Sequence, residues 1–380
     1  MKKDKNNSNT KRIAILHPHA SITWWAIQLM LQTAIILQDE GYIIDIYVFN
    51  QDKVNCFNDL QDELNIIDLS NSLNLSTPLF KLLFKIYLII RLILILRKYD
   101  IIVAWNSPTH FVAWISKILF KTQKTIWFLH NIPLYYQSIN KSIFTSIKRF
   151  IEKKIIINNI DYIFCPSPFI KAKIKLFYNK KWVIIPPMIN KRFISTKKIN
   201  KVFIKKEYTD KIILFTYGRL SKEKNIFFII DMFKDFIKLY PNAELIIWWN
   251  WDIMHELINE SKWFNVKFMW SLSIIDIIDI LKKTDCFILS SMIEAFWLII
   301  PEVSHYKIPI VTLKSDSLLS NFKTRWLYVS LSKEDMIDKL DICLQKPKQT
   351  LYKSNKAHID MSMYYNNILM KKTILKYIKK

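Results

Sequence analysis

Residues 290–311, SSMIEAFWLIIPEVSHYKIPIV, hold two glutamates, Glu294 and Glu302, with seven residues between them. Residues 298–306 read as a helix, so Glu294 falls in the loop before it and Glu302 about one turn inside. One carboxylate can then meet a ligand at the start of the helix while the other reaches a second part of the same ligand. The first turn of a helix also offers N–H groups without intrahelical partners, which suit a phosphate. Two glutamates at this spacing usually lie on a solvated helix face, so their surroundings decide the matter. Upstream, Tyr217-Gly218-Arg219-Leu220-Ser221-Lys222-Glu223-Lys224-Asn225 lies where a strand ends and a helix begins. Arg219 offers a fork of donors and Lys224 a point charge, and both suit a diphosphate. Alone they would be solvated surface charges; ahead of Glu294 and Glu302 they read as phosphate-binding.

The elements that must position these side chains show as short apolar runs alternating with helical patterns, twice over. Residues 12–16, 43–49, 101–104, 124–129 and 161–164 read as buried strands, with helices over 26–38, 80–97 and 143–157. After Pro186-Pro187 a basic polar run reads as an interdomain connection. A second series follows, with strands at 211–217, 243–247, 266–269, 286–289 and 309–312, and helices at 225–239, 274–281, 333–344 and 364–378. Continuous apolar strands in strand–helix–strand order predict parallel sheets covered on both faces. Two such doubly wound domains facing a cleft would bring the carboxyl ends of both sheets to it, where ligands bind in such folds.

Bulk properties narrow the classes. A chain of 380 residues with half of them hydrophobic can bury a large core. The net charge of +24 favours anionic partners: a membrane surface, a nucleotide, or nucleic acid. An AT-rich gene, favouring lysine codons, is the plainer source of the same charge. A nucleic-acid reader would need a Lys/Arg stripe interleaved with aromatics, and here the charges are spread along the chain. Cys56, Cys165, Cys286 and Cys343 are scattered, so buried free thiols are expected and no metal site. The start, MKKDKNNSNTK, has no apolar core of a signal peptide. Residues 79–96, LFKLLFKIYLIIRLILIL, are very apolar, but Lys81, Lys85 and Arg91 disfavour a spanning helix. A core or surface helix and a basic helix touching a bilayer interface both remain open.

The segment from Ser291 to Pro309 resembles the E-x7-E signature of family-4 glycosyltransferases, through Ser291, Glu294, Phe296, Leu298, Glu302 and Pro309. Ala295, Trp297 and Lys307 stand where that family has glycines. Gly218 to Lys224 is similar to its G-R-L-x-x-x-K element. Residues 12–18 followed by Trp24-Trp25 resemble its first strand and glycine pair, and Phe128-Leu129-His130-Asn131 its strand-end histidine. The resemblance implies a GT-B fold of two Rossmann-like domains: residues 1–187 on the acceptor side, residues 188–361 binding a nucleotide sugar, and a last helix, 362–380, crossing back onto the first domain. It implies transfer of a hexose from a nucleotide-diphosphate sugar to an acceptor hydroxyl, with retention at the anomeric carbon and no metal or other cofactor. Arg219 and Lys224 would stabilise the leaving diphosphate, Glu294 would bond the donor sugar, and Glu302 the ribose. Phe268, Met269 and Trp270 would lie along the base, and His130 against the sugar. Trp24, Trp25, Phe296, Trp297 and Leu298 would line the donor site. The expected acceptor is a sugar or lipid-linked glycan, in cell-surface polysaccharide or glycolipid synthesis. The expected setting is the cytoplasm, with peripheral attachment to an anionic inner membrane face and no nucleic-acid partner. A nucleotide-sugar epimerase on the same fold, a basic nucleic-acid-binding protein and a non-catalytic relative are the alternatives.

Two glycines against 13 tryptophans is the chain's oddest feature. In LIIWWNWD, residues 245–252, Trp248, Trp249 and Trp251 stand where the resemblance places glycines after a strand. The same is true of Trp24, Trp25, Trp270, Trp297 and Trp326, whereas Gly41 and Gly218 stand where glycine is also expected. The pattern predicts a gene in which UGA encodes glycine, so that the native chain carries glycine at most or all of these positions. Indoles in the donor loop would fill room a diphosphate needs, and tryptophan at a φ > 0 turn would be strained. The intact mass of natively expressed protein is therefore expected to fall below the 45.6 kDa of the written chain. A mass equal to it, or UGG codons at these sites, would overturn the recoding.

Overall fold

The computed structural model describes residues 10–18, 24–49, 64–69, 78–105, 109–121, 123–130, 147, 150–153, 157–175, 178, 180–189, 191–194, 203–219, 222–250, 254–262, 264–269 and 272–379. By packing the chain divides into two compact units, Met1–Pro186 with Ile368–Lys380, and Pro187–Asn367.

The first unit is built on seven strands: β1 (Arg12–His17), β2 (Ile43–Val48), β3 (Asn65–Asp68), β4 (Ile101–Trp105), β5 (Lys124–Phe128), β6 (Tyr162–Cys165) and β7 (Trp182–Ile184). Their order is β3-β2-β1-β4-β5-β6-β7, and every pairing is parallel. Helices α1 (Trp24–Asp39), α2 (Pro78–Leu96), α3 (Thr109–Leu119) and α4 (Pro168–Lys175) accompany them. The strands read as unbroken apolar runs because both faces are covered; β4 is buried at every residue. The helix expected over 143–157 falls mostly outside the described residues.

The second unit has six parallel strands: β8 (Ile212–Arg219), β9 (Ala243–Asn250), β10 (Val266–Met269), β11 (Cys286–Leu289), β12 (Ile310–Leu313) and β13 (Tyr328–Ser330), in the order β10-β9-β8-β11-β12-β13. Its helices include α5 (Ile226–Leu239), α6 (Met254–Ser261), α7 (Ile274–Lys283), α8 (Ile299–His305), α9 (Lys333–Gln345) and α10 (Pro347–Tyr364). Alternation along each strand feeds two cores. Ile212, Leu214, Leu245, Ile247, Cys286 and Ile288 pack with α5 and α9 on one face. Phe215, Tyr217, Trp248, Phe287 and Leu289 pack with α7 and α8 on the other. Side-chain caps set the helix starts: Ser273 and Asp276 form a capping box on α7, and Ser332 caps α9.

The structure revises the reading of LIIWWNWD. The strand does not turn out after Ile247; it runs on to Asn250, because β8 continues beside it with Gly218 opposite Trp249 and Arg219 opposite Asn250. Trp248 is a buried strand residue facing Tyr217, with ring centroids 6.1 Å apart. Among the described non-glycine residues, positive φ occurs at Asn225 (55°) and Lys307 (56°), so Trp248, Trp297 and Trp326 carry no such strain. Cys165, Cys286 and Cys343 are free and buried, and Cys56 lies outside the described residues.

The last helix, α11 (Asn367–Ile378), packs into the first unit, burying Met370, Ile374 and Ile378. Lys371 Nζ pairs with Glu40 Oε1 at 2.6 Å. Lys124 Nζ donates to the carbonyls of Tyr377 and Ile378, where the helix leaves acceptors unmatched. Tyr377 meets Tyr162 and Phe164 edge-on at 5.2 and 6.0 Å. Ile374→Ala removes fully buried methylenes and is expected to destabilise the first unit by about 2–5 kcal/mol. Chemical denaturation checks this; a loss below about 0.5 kcal/mol, as at a surface site, would show the helix to be weakly held.

Candidate functional site

In the second unit the strand order reverses between β8 and β11, and an open parallel sheet leaves a crevice at the carboxyl ends of such a pair. β8 ends with Gly218 and Arg219, and a 3-10 turn, Lys222–Lys224, leads to α5. Asn225 caps α5 in the left-handed conformation, which asparagine tolerates better than most residues. Ser290, directly after β11, donates its hydroxyl to the carbonyls of Lys224 (2.6 Å) and Asn225 (2.9 Å). Met292 N–H donates to the Glu223 carbonyl at 2.8 Å. These bonds tie the loop after β8 to the loop after β11.

The tie brings Lys224 against Glu294. Lys224 Nζ forms an ion pair with Glu294 Oε1, and Ser291 Oγ donates to the same oxygen at 3.1 Å. Glu294 N–H donates to Ser317 Oγ at 3.2 Å. Both side-chain bonds fall on Oε1, and Oε2 makes no bond among the described residues. The pair is mostly buried, with side-chain exposures of 18% and 16%. Arg219 ends β8 at the same edge of the sheet; its side chain lies outside what the structure describes.

Glu302 lies in α8, and Tyr217, near the end of β8, donates its hydroxyl to Glu302 Oε2 at 2.8 Å. Burial pushes the Glu302 carboxyl up to about 7, against the lowering effect of the Tyr217 bond. Burial, then the neighbouring Glu302 charge, pushes the Tyr217 phenol well above its ordinary value. Phe296 and Trp297 are buried in the core cluster of this face, Phe296 against Phe322 and Tyr365, which leaves their backbone to meet any ligand. Leu298 caps α8 and is half-buried, as are Phe268 and Met269 in β10; Trp270 lies outside the described residues.

In the first unit the order reverses between β1 and β4. His17 ends β1, Trp105 ends β4, and His130 follows β5. Both histidines are buried and tilt toward the Trp105 indole, at 6.2 Å for His17 and 6.3 Å for His130. Burial, and secondarily the charge of His17, pushes His130 down to about 3, so its imidazole is neutral at physiological pH. Trp24 and Trp25 open α1, but their side chains, like Asn131, lie outside the description.

The structure thus joins Lys224 and Glu294 directly and sets Glu302 at the same end of the sheet through Tyr217. His17, Tyr217, Ser290 and Ser317 were not singled out from sequence. His17 had a signal, as the polar residue ending an apolar strand, but a lone serine, or a tyrosine inside an apolar strand, has none. Among the described residues, no three His, Cys, Asp or Glu side chains gather as a metal ion would need.

Residues 28–193 match the family model described as Glycosyltransferase Family 4, and residues 197–358 match that described as Glycosyl transferases group 1. The chain belongs to the family-4 glycosyltransferases. Solved structures similar to this glycosyltransferase include HepE of Anabaena in complex with UDP and glucose, at a TM-score of 0.74 and 13% identity, covering 97% of this chain and 99% of that one. Sucrose-phosphate synthase of Thermosynechococcus elongatus has a TM-score of 0.75 and 14% identity, covering 97% and 98%. At such identities the likeness speaks to the fold, which is GT-B. An uncharacterized glycosyltransferase of Methanocaldococcus jannaschii is 28% identical over 108 residues, 28% of this chain and 26% of that protein, so the match spans about a quarter of that relative.

Glu302 gives the glycosyltransferase a measurable pH dependence. The unfolded carboxyl ionises near 4.5 and the folded one near 7. Between those values the folded protein holds a proton that the unfolded chain has released, so stability falls as pH rises from about 4.5 to about 7. Glu302→Gln, which cannot ionise, is expected to melt higher than wild type at pH 8 and to lose that advantage at pH 4. An equal gain at both pH values would show that the carboxyl is not held neutral by burial.

Proposed function

We propose that this protein transfers a sugar from a nucleotide-diphosphate sugar to an acceptor hydroxyl with retention at the anomeric carbon. The observation that carries this is Glu294: one oxygen is fixed by Lys224 and Ser291, and the other is left open at the switch point of the second sheet. A carboxylate held in this way is ready to accept hydrogen bonds from sugar hydroxyls without reorganising. HepE, with the same fold, has been solved in complex with UDP-glucose, which supports a nucleotide-sugar donor here.

In this reading the bond from the anomeric carbon to the donor phosphate breaks, and its electron pair leaves with the diphosphate. The acceptor oxygen bonds the same face of the sugar, and its proton passes to the departing phosphate oxygen. Lys224, already at the site, and Arg219, at the end of β8, offset the charge that develops on the diphosphate, so the reaction needs no metal. Glu302 accepts from the ribose hydroxyls, with Tyr217 holding the carboxyl in place. His130, neutral at working pH, contacts the donor sugar as a hydrogen-bonding group rather than a charge. The acceptor is a sugar or lipid-linked glycan of the cell surface, reached at the cytoplasmic face of an anionic membrane. Among the described residues no helix is long and apolar enough to cross a membrane, so the contact would be peripheral.

The test uses the chain with glycine at the tryptophan positions named above, alongside the written chain. UDP-, GDP- and ADP-sugars are screened for thermal stabilisation and slow hydrolysis, since a bound donor raises stability with the log of its concentration over Kd. One donor is expected to stabilise and turn over. Glu294→Ala and Lys224→Ala are each expected to lower turnover on the order of 10²-fold. Turnover untouched by Glu294→Ala would sink the site, and salt-sensitive DNA binding without any hydrolysis would sink the transferase.

A further inference from the structure

Helix α2 buries one side and shows the other. Leu92, Ile93 and Leu96 pack with Leu16, Tyr47, Ile102 and Ala104 of the sheet. On the outer side Ile86 is 46% exposed, Tyr87 55%, Ile90 54% and Leu94 56%. Ile86, Ile90 and Leu94 follow one another at four-residue spacing, so they form one ridge along the helix, with Tyr87 beside it. α3 packs against α2 and ends in two more exposed aliphatic residues, Ile118 and Leu119. Scattered apolar residues on a surface mean little, but a contiguous ridge of this size marks a place where something docks.

The charges around the ridge decide what docks. Arg91 flanks it, Arg97 and Lys98 stand exposed where α2 ends, and Lys121 follows α3. Neither α2 nor α3 contains an acidic residue. An apolar ridge flanked by cations, on helices that carry no carboxylate, fits a surface that is apolar inside and anionic at its rim. A second copy of the chain fits poorly: apposed faces would set Arg91, Arg97 and Lys98 against like charges, between two bodies of formal charge +24. Nucleic acid fits poorly as well, since an aliphatic ridge offers its phosphates nothing.

We propose that the outer face of α2, with the end of α3, is the surface by which this protein lies on an anionic lipid bilayer. This rests on the peripheral membrane contact proposed above and gives it a place in the fold. The ridge enters the boundary between headgroups and acyl chains, while Arg91, Arg97 and Lys98 remain at headgroup depth. The helix lies on the membrane and does not span it.

The full chain is sedimented with vesicles of phosphatidylglycerol and phosphatidylcholine, and with vesicles of phosphatidylcholine alone, at low and high salt. Wild type is expected to bind the anionic vesicles at low salt and to be released by high salt. Ile90→Ser/Leu94→Ser is expected to bind at least about tenfold more weakly, with unchanged melting and unchanged donor hydrolysis in the absence of vesicles. Arg91→Glu/Lys98→Glu gives the same loss through charge, on a helix whose buried side is untouched. Three results overturn the proposal: no binding by wild type, wild-type binding by both double variants, or a dimer in solution that Ile90→Ser/Leu94→Ser abolishes. Vesicle binding by a protein that turns over no donor would refute the transferase reading and leave the docking surface standing.

Discussion

The site in the second unit depends on the tie between the loop after β8 and the loop after β11. Ser290 supplies it, by giving one hydroxyl to two backbone carbonyls, those of Lys224 and Asn225. Met292 N–H, on the Glu223 carbonyl, is the second bond of the same tie between the turn Lys222–Lys224 and the segment carrying Glu294. With it, Lys224 and Glu294 face each other across the point where the sheet changes direction. Their ion pair is not a large source of stability, because removing two charges from water offsets most of the Coulomb gain. Its consequence is positional: it sets a cation beside the carboxylate at the switch point, while Glu294 keeps Oε2 for a hydroxyl.

Burial does different work at the other ionisable groups. Glu302 and His130 both sit at the carboxyl ends of parallel strands or beside them, and both are shifted toward the neutral form. For Glu302 the shift brings ionisation near physiological pH, so a ligand that donates to the carboxyl will pull a proton off it. For His130 the shift removes charge entirely in that range. A net charge of +24 therefore describes the outside of this protein better than the switch point of its second sheet, where Lys224 is already matched by Glu294 and Glu302 is shifted toward its neutral form.

The inner strands were legible because they are buried on both faces and so read as unbroken apolar runs. The long helix α10 was not, and its buried side shows why. Thr350, Ser354, Ala357 and Met361 recur at helical spacing but are mostly small or polar, so no apolar stripe announces them. β3 and β13 are short edge strands with little signal of their own. Glu294, Glu302 and Lys224 were legible as residues, whereas their partners were not. Tyr217 and Ser290 act through bonds to groups 85 and 66 positions away, and spacing carries no trace of that.

The tryptophans are where sequence and structure pull hardest against each other. Strain is no reason to doubt those among the described residues: Trp248 extends a strand, Trp326 ends a 3-10 turn, and neither they nor Trp297 has positive φ. Positive φ falls instead on Lys307, where the resemblance also expects glycine, so the backbone there does keep a conformation that suits glycine better than lysine. Trp297 offers a different reason. It is 1% exposed, and its indole N–H has no hydrogen-bond partner among the described residues, a burial that costs about 1–3 kcal/mol. Its neighbours in sequence are Phe296 and Leu298, between Glu294 and Glu302. A glycine at this position would remove an indole's volume from the core cluster of this face. In a chain of that kind the second unit would give up an indole of core packing, and with it a buried donor that has no partner among the described residues, while the backbone between the two carboxylates would carry no side chain at this position.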